Sequence, residues 1–87
     1  MIEAIIFDWI GTLYQFGGNG LFTYSEKILK ELRTKYKLAV ISSAHSDNVK
    51  NRLAQINKIK KYFDVIIVDI DKTPEQFIEC MRRLNVK

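Results

Sequence analysis

Two spacings of apolar residues alternate along this 87-residue chain. Residues 2–7, Ile-Glu-Ala-Ile-Ile-Phe, are β-rich and apolar on both faces after Glu3, which suits a strand buried within a parallel sheet. Leu38-Ala39-Val40-Ile41 and Val65-Ile66-Ile67-Val68 repeat that pattern. Between these runs the spacing becomes helical. Ile28, Leu29, Leu32 and Tyr36 share one face and predict a helix over 24–35, with Thr23 and Glu26 as its capping box. Val49, Leu53 and Ile56 predict a second helix, which Ser46 or Asp47 can cap. Phe77, Ile78, Met81 and Leu84 predict a third, opened by Thr73 as N-cap and Pro74 in the first turn. Ile59, Tyr62 and Phe63 in the connector 58–63 are expected to cover the core edge. Tyr14 to Phe22, with Gly17, Gly18 and Gly20 around Asn19, reads as a turn-rich loop.

The order βα, βα, βα predicts an α/β fold, a doubly wound parallel sheet with right-handed crossovers. The length fits one domain over residues 1–87. Apolar residues at 47% and charged residues at 28% are ordinary for a soluble domain and exclude collagen, a disulfide scaffold and a mostly disordered chain. No apolar run approaches the ~20 residues that span a bilayer, and no secretory signal opens the chain, so no membrane association is expected. Cys80 has no second thiol to pair with, which points to a reducing, cytoplasmic setting. The net charge of +4 comes from lysines and arginines concentrated in 27–37 and 50–61, with Glu26, Glu31 and Asp47 among or beside them. Such mixed charge reads as solvated helix faces; a basic nucleic-acid-associated protein is an alternative that rests on charge alone.

Ligands of doubly wound sheets bind beyond the carboxyl ends of the strands. Asp8, Ser42 and Lys72 all follow a strand there. A carboxylate, a hydroxyl and an ammonium brought together suit phosphoryl transfer, the first as nucleophile and the others holding non-bridging oxygens. Gly11 allows the sharp turn this requires after the first strand.

These residues resemble a known family. Phe7-Asp8-Trp9-Ile10-Gly11-Thr12-Leu13 is similar to the first motif of the haloacid dehalogenase (HAD) superfamily, apolar-Asp-x-Asp-Gly-Thr-Leu. Leu38-Ala39-Val40-Ile41-Ser42-Ser43 resembles the second motif, and Lys72-Thr73-Pro74-Glu75-Gln76-Phe77 the third, one residue shorter than the common form. The resemblance implies a three-layer Rossmann-like core reduced to three parallel strands and lacking a cap domain. It makes Asp8 the nucleophile and a magnesium ligand, with the backbone carbonyl of Ile10 as another ligand. It gives Thr12 a supporting role in the loop, Ser42 the phosphoryl group, and Lys72 the charge at Asp8 and the phosphoryl oxygens.

Two departures shape the functional reading. The second aspartate of the first motif, which protonates the leaving group and activates water, is Ile10 here. The fourth motif, whose acids complete the magnesium site, would follow the last helix, and the sequence stops at Lys87. Asp69 and Asp71, or His45 and Asp47, are the residues that could lend a replacement ligand. The implied function is a phosphohydrolase-type domain working through an aspartyl-phosphate at Asp8 on a phosphorylated substrate, with weak or absent turnover in isolation. The alternative is a degenerate binding module. With no fourth strand beside it, the strand 4–7 edge is expected to pair with a second copy or a protein partner. Trp9 either borders a pocket or covers the end of the sheet, and Cys80 is read as packing.

Overall fold

A computed structural model describes residues 3–85. Three parallel strands, β1 (Ala4–Phe7), β2 (Lys37–Ser43) and β3 (Val65–Asp69), form one sheet in the order β1-β2-β3. Helices α1 (Ser25–Arg33), α2 (Val49–Asn57) and α3 (Pro74–Leu84) connect and flank them. The fold is therefore the expected α/β Rossmann-like arrangement. Ile2, included in the first predicted strand, lies outside the described residues. The second strand runs two residues further than the apolar run, through Ser42 and Ser43, because Ser43 is still in register with Asp69 of β3.

The alternation of side chains along β2 divides the core. Leu38 and Val40 face one way, packed with Leu29 of α1, Ile56 of α2 and the connector residues Ile59, Tyr62 and Phe63. Ala39 and Ile41 face the other way, against Cys80 and Leu84 of α3. Leu29, Leu38 and Ile56 are fully buried, and each contributes about 2 kcal/mol of apolar burial. Two helices thus cover one face of the sheet and one helix covers the other.

Several local expectations are corrected. Helix α1 starts at Ser25 with Tyr24 as N-cap, and neither Thr23 nor any other side chain caps it. Its entry is fixed by the preceding loop instead. Ser25 Oγ donates to the Leu13 carbonyl at 2.7 Å, and Tyr24 stacks on Phe22 with ring centroids 5.2 Å apart. At α2 a short 3₁₀ turn, Ser46–Asn48, precedes the helix, the N-cap is Asn48, and neither Ser46 nor Asp47 caps through its side chain. Thr73 does cap α3, within a full capping box that includes Gln76. Helix α3 buries Cys80 and Leu84, whereas Phe77, Ile78 and Met81 stay exposed. The reason is its position over β2 and β3, which leaves one flank of its apolar stripe without a neighbour.

Candidate active site

The first strand ends at Phe7, and Asp8 begins a tight loop at the carboxyl edge of the sheet. The Trp9 carbonyl accepts from the backbone amides of Thr12, Leu13 and Tyr14 at 3.0–3.3 Å, and the Gly11 amide donates to the Tyr14 carbonyl at 2.8 Å. Gly11 sits at φ +82°, a conformation that disfavours a side chain. Trp9 anchors the loop: it is fully buried, stacks on Tyr14 at 5.3 Å and donates from Nε1 to Gln55 Oε1 at 3.1 Å. Of its two expected roles, the structure gives it the covering one.

Asp8 and Lys72 meet across the sheet. Lys72 Nζ lies 2.5 Å from Asp8 Oδ1, which also accepts from the Trp9 amide at 2.9 Å. Oδ2 of Asp8 has no hydrogen-bond donor among the described residues. The pair borders an open groove of about 180 Å³ lined by Ile6, Phe7, Ile41 and Phe77. Its side chains are 32% and 50% exposed, so the ion pair itself adds at most about 1 kcal/mol to stability. The capping box at the start of α3 sets the chain direction immediately after Lys72.

Ser42 is buried, and its hydroxyl accepts from Arg52 Nη1 at 2.5 Å. No hydrogen bond joins it to Asp8 or Lys72 among the described residues. Parallel register sets Phe7 beside Val40, hence Asp8 beside Ile41, with Ser42 one residue beyond. Thr12 is exposed; its carbonyl accepts from Tyr24 Oη at 3.4 Å, and no hydrogen bond from its side chain is present among the described residues. The structure thus brings Asp8 and Lys72 into contact, holds Ser42 through another residue, and leaves the Thr12 side chain outside the cluster.

Arg52 was not singled out from the sequence. Its Nη1 also donates to the Ser43 carbonyl at 2.9 Å, so α2 is tied to the end of β2 beside the site. A signal existed: Arg52 is three residues after Val49 and four before Ile56, a charge on the apolar stripe of its helix. Cys80 has no such role, because it is buried and burial pushes its thiol pKa up, keeping it protonated and unreactive.

The described residues do not assemble a magnesium cage. No three His, Cys, Asp or Glu side chains converge among them. Asp69 is engaged by the Ile70 amide and by Gln76 Nε2, at 2.7 and 3.2 Å. Asp71 and His45 line a separate cavity beside Arg52. Magnesium wants near-octahedral oxygen ligation with more than one anionic group. The donor set of this chain alone therefore does not fit a resident magnesium ion.

In an open α/β sheet ligands bind beyond the carboxyl ends of the strands, which is where Asp8 and Lys72 meet. The sequence profile of the haloacid dehalogenase-like hydrolases matches residues 17–87, and the chain belongs to that family. Ser42, Arg52 and Lys72 lie inside the matched stretch, while Asp8, Ile10 and Thr12 precede it. The family generally uses magnesium. No curated protein and no solved structure matches the chain.

Proposed function

We propose that this protein is a phosphohydrolase-type domain whose Asp8 accepts a phosphoryl group and releases it slowly. The observation that carries this reading is the Asp8–Lys72 pair at the carboxyl edge of the sheet, in a chain of a hydrolase family. Oδ2 of Asp8 is the attacking atom, because Oδ1 already holds two donors. Attack on the phosphorus of a phosphate monoester forms a P–O bond to Asp8 and breaks the bond to the leaving oxygen. That oxygen departs with the electron pair and is protonated by water. Lys72 balances the charge gathering on the phosphoryl oxygens. Ser42 can donate its own hydroxyl proton there while still accepting from Arg52, and Thr12 holds the loop through its backbone.

The second step is the slow one. Water must attack phosphorus and break the P–O bond to Asp8, restoring the carboxylate and releasing inorganic phosphate. A general base would take the proton of that water, and the family's position for it holds Ile10. General acid–base catalysis is typically worth ~10²–10⁴-fold, so phosphorylation from a good leaving group outruns hydrolysis. Magnesium at Asp8 and the Ile10 carbonyl would need anionic oxygens contributed by the phosphate itself, and no step above depends on it. The test is release of nitrophenolate from nitrophenyl phosphate, with and without magnesium, comparing the chain with Asp8→Asn. The expected result is a slow release that Asp8→Asn abolishes; equal release from both proteins overturns the proposal.

A second reading is favoured by one observation. Among the described residues β1 pairs only with β2, and its Ala4-Ile5-Ile6-Phe7 edge carries no charge. The exposed Phe77 of α3 shares a groove with Ile6 and Phe7. An uncharged strand of this kind is suited to pair with its own copy about a two-fold axis, building a continuous sheet across the dimer. This second reading is an interaction module whose partner is another molecule of the same chain.

A further inference from the structure

The groove on the far side of the strand ends from Lys72 is unusual in its charge. Arg52 is half-buried, and among the described residues no carboxylate pairs with it. Nη1 alone is used, on Ser42 and Ser43, leaving Nη2 and Nε without a hydrogen-bond partner among the described residues. Arg52 lines two cavities of about 360 Å³ each, one with Ile10, Tyr14, Asn48, Asn51, Gln55 and the Gly17–Gly18 turn, the other with His45 and Asp71. No acidic side chain lines the first. Gln55 has its carbonyl oxygen committed to Trp9, so its amide nitrogen is the group left to offer. The result is a set of donors around one positive charge that makes no ion pair among the described residues, Asp71 lining only the other cavity.

The first cavity is lined by Ile10, two residues after Asp8. Ser42, which holds Arg52, is one strand spacing (~4.8 Å) across and one residue rise (~3.3 Å) beyond the level of Asp8. We propose that Arg52 is a specificity-determining residue that binds a second phosphate of the substrate, so that the preferred substrates are short bisphosphates spanning the strand ends. One phosphate sits at Asp8 and Lys72, and the other accepts from the free edge of Arg52 and from Asn51 or Gln55. Ser42 then acts as a positioning residue for Arg52 as well as a hydrogen-bond donor to the phosphoryl group at Asp8. Planar guanidinium groups bind phosphate through paired hydrogen bonds, which suits the free Nη2 and Nε. The inference rests on the proposed phosphoryl site.

The experiment is isothermal titration of inorganic phosphate and of 1,4-butanediol bisphosphate into the chain and into Arg52→Gln, Arg52→Lys, Asn51→Asp and Lys72→Gln. Charge-assisted hydrogen bonds are worth enough for the bisphosphate to bind about tenfold or more tighter than phosphate. Arg52→Gln should erase that gain, and Arg52→Lys should restore part of it. Asn51→Asp changes an exposed residue and puts a carboxylate into the cavity, so it should erase the gain even if Arg52→Gln fails to fold. A bisphosphate that binds no tighter than phosphate, or a gain that survives both Arg52→Gln and Asn51→Asp, overturns the inference. Loss of the phosphoryl site itself reads differently: phosphate would bind Lys72→Gln as well as it binds the unaltered chain.

Discussion

At position 10 an isoleucine stands where the family places its second aspartate, and in the proposed reaction this one side chain separates phosphorylation of Asp8 from turnover. Ile10 is half-buried, packs against the core cluster and pairs through its backbone with Tyr14. Ile10→Asp should raise the steady-state rate of nitrophenyl phosphate hydrolysis, by about 10²-fold if the carboxylate recovers base catalysis. An unchanged rate in a folded Ile10→Asp protein would show that proton transfer is not what limits this site. Asp8 and Lys72 were legible in the sequence because each directly follows an apolar strand, and parallel strands bring their carboxyl ends to one edge. Arg52 was not, because its neighbours Ser42 and Ser43 are ten and nine residues away and only the packing of α2 on β2 joins them.

At the scale of elements, strands were easier to read than helix starts. A strand apolar on both faces has few alternatives to burial in a parallel sheet, so 38–41 and 65–68 needed only extension at their ends. The Thr23 capping box failed because Ser25 and Tyr24 are held by Leu13 and Phe22 in the preceding loop, a tertiary contact that overrides the local preference. Thr73 succeeded because both halves of its box form, Gln76 N to Thr73 Oγ1 at 3.3 Å and Thr73 N to Gln76 Oε1 at 3.1 Å. Thr73→Ala should cost about 1 kcal/mol. For a domain of this size that lowers the melting temperature by roughly 4–8 °C. Thr23→Ala, by contrast, should leave the melting temperature in place. Equal effects of the two substitutions in thermal denaturation would contradict the assignment of caps.

At the scale of the whole molecule, the sheet order places the candidate nucleophile on an edge strand. Among the described residues β1 is half-buried on both faces and paired on one side only, and the exposed Phe77 of α3 shares a groove with Ile6 and Phe7. If the edge pairs with its copy, sedimentation velocity should show a dimer that grows in with concentration. A single monomeric species at high micromolar concentration would contradict pairing and leave the hydrolase reading untouched. The apolar run of β1 made the edge legible, but the exposure of Phe77 and Met81 was hidden, since a 3.6-residue pattern shows a stripe and not how much of it is covered.

The central claim is that Asp8 takes up phosphate faster than it gives it back, and an acid-quenched phosphopeptide map tests it most directly. The chain would be mixed with nitrophenyl phosphate, quenched in acid to preserve an acyl-phosphate, digested and examined by mass spectrometry. The account predicts a phosphoryl group on the peptide containing Asp8, reaching near-stoichiometric occupancy before steady state and absent from Asp8→Asn. A folded chain that releases nitrophenolate with no phosphoryl group on Asp8, or that carries one on another residue, would contradict it.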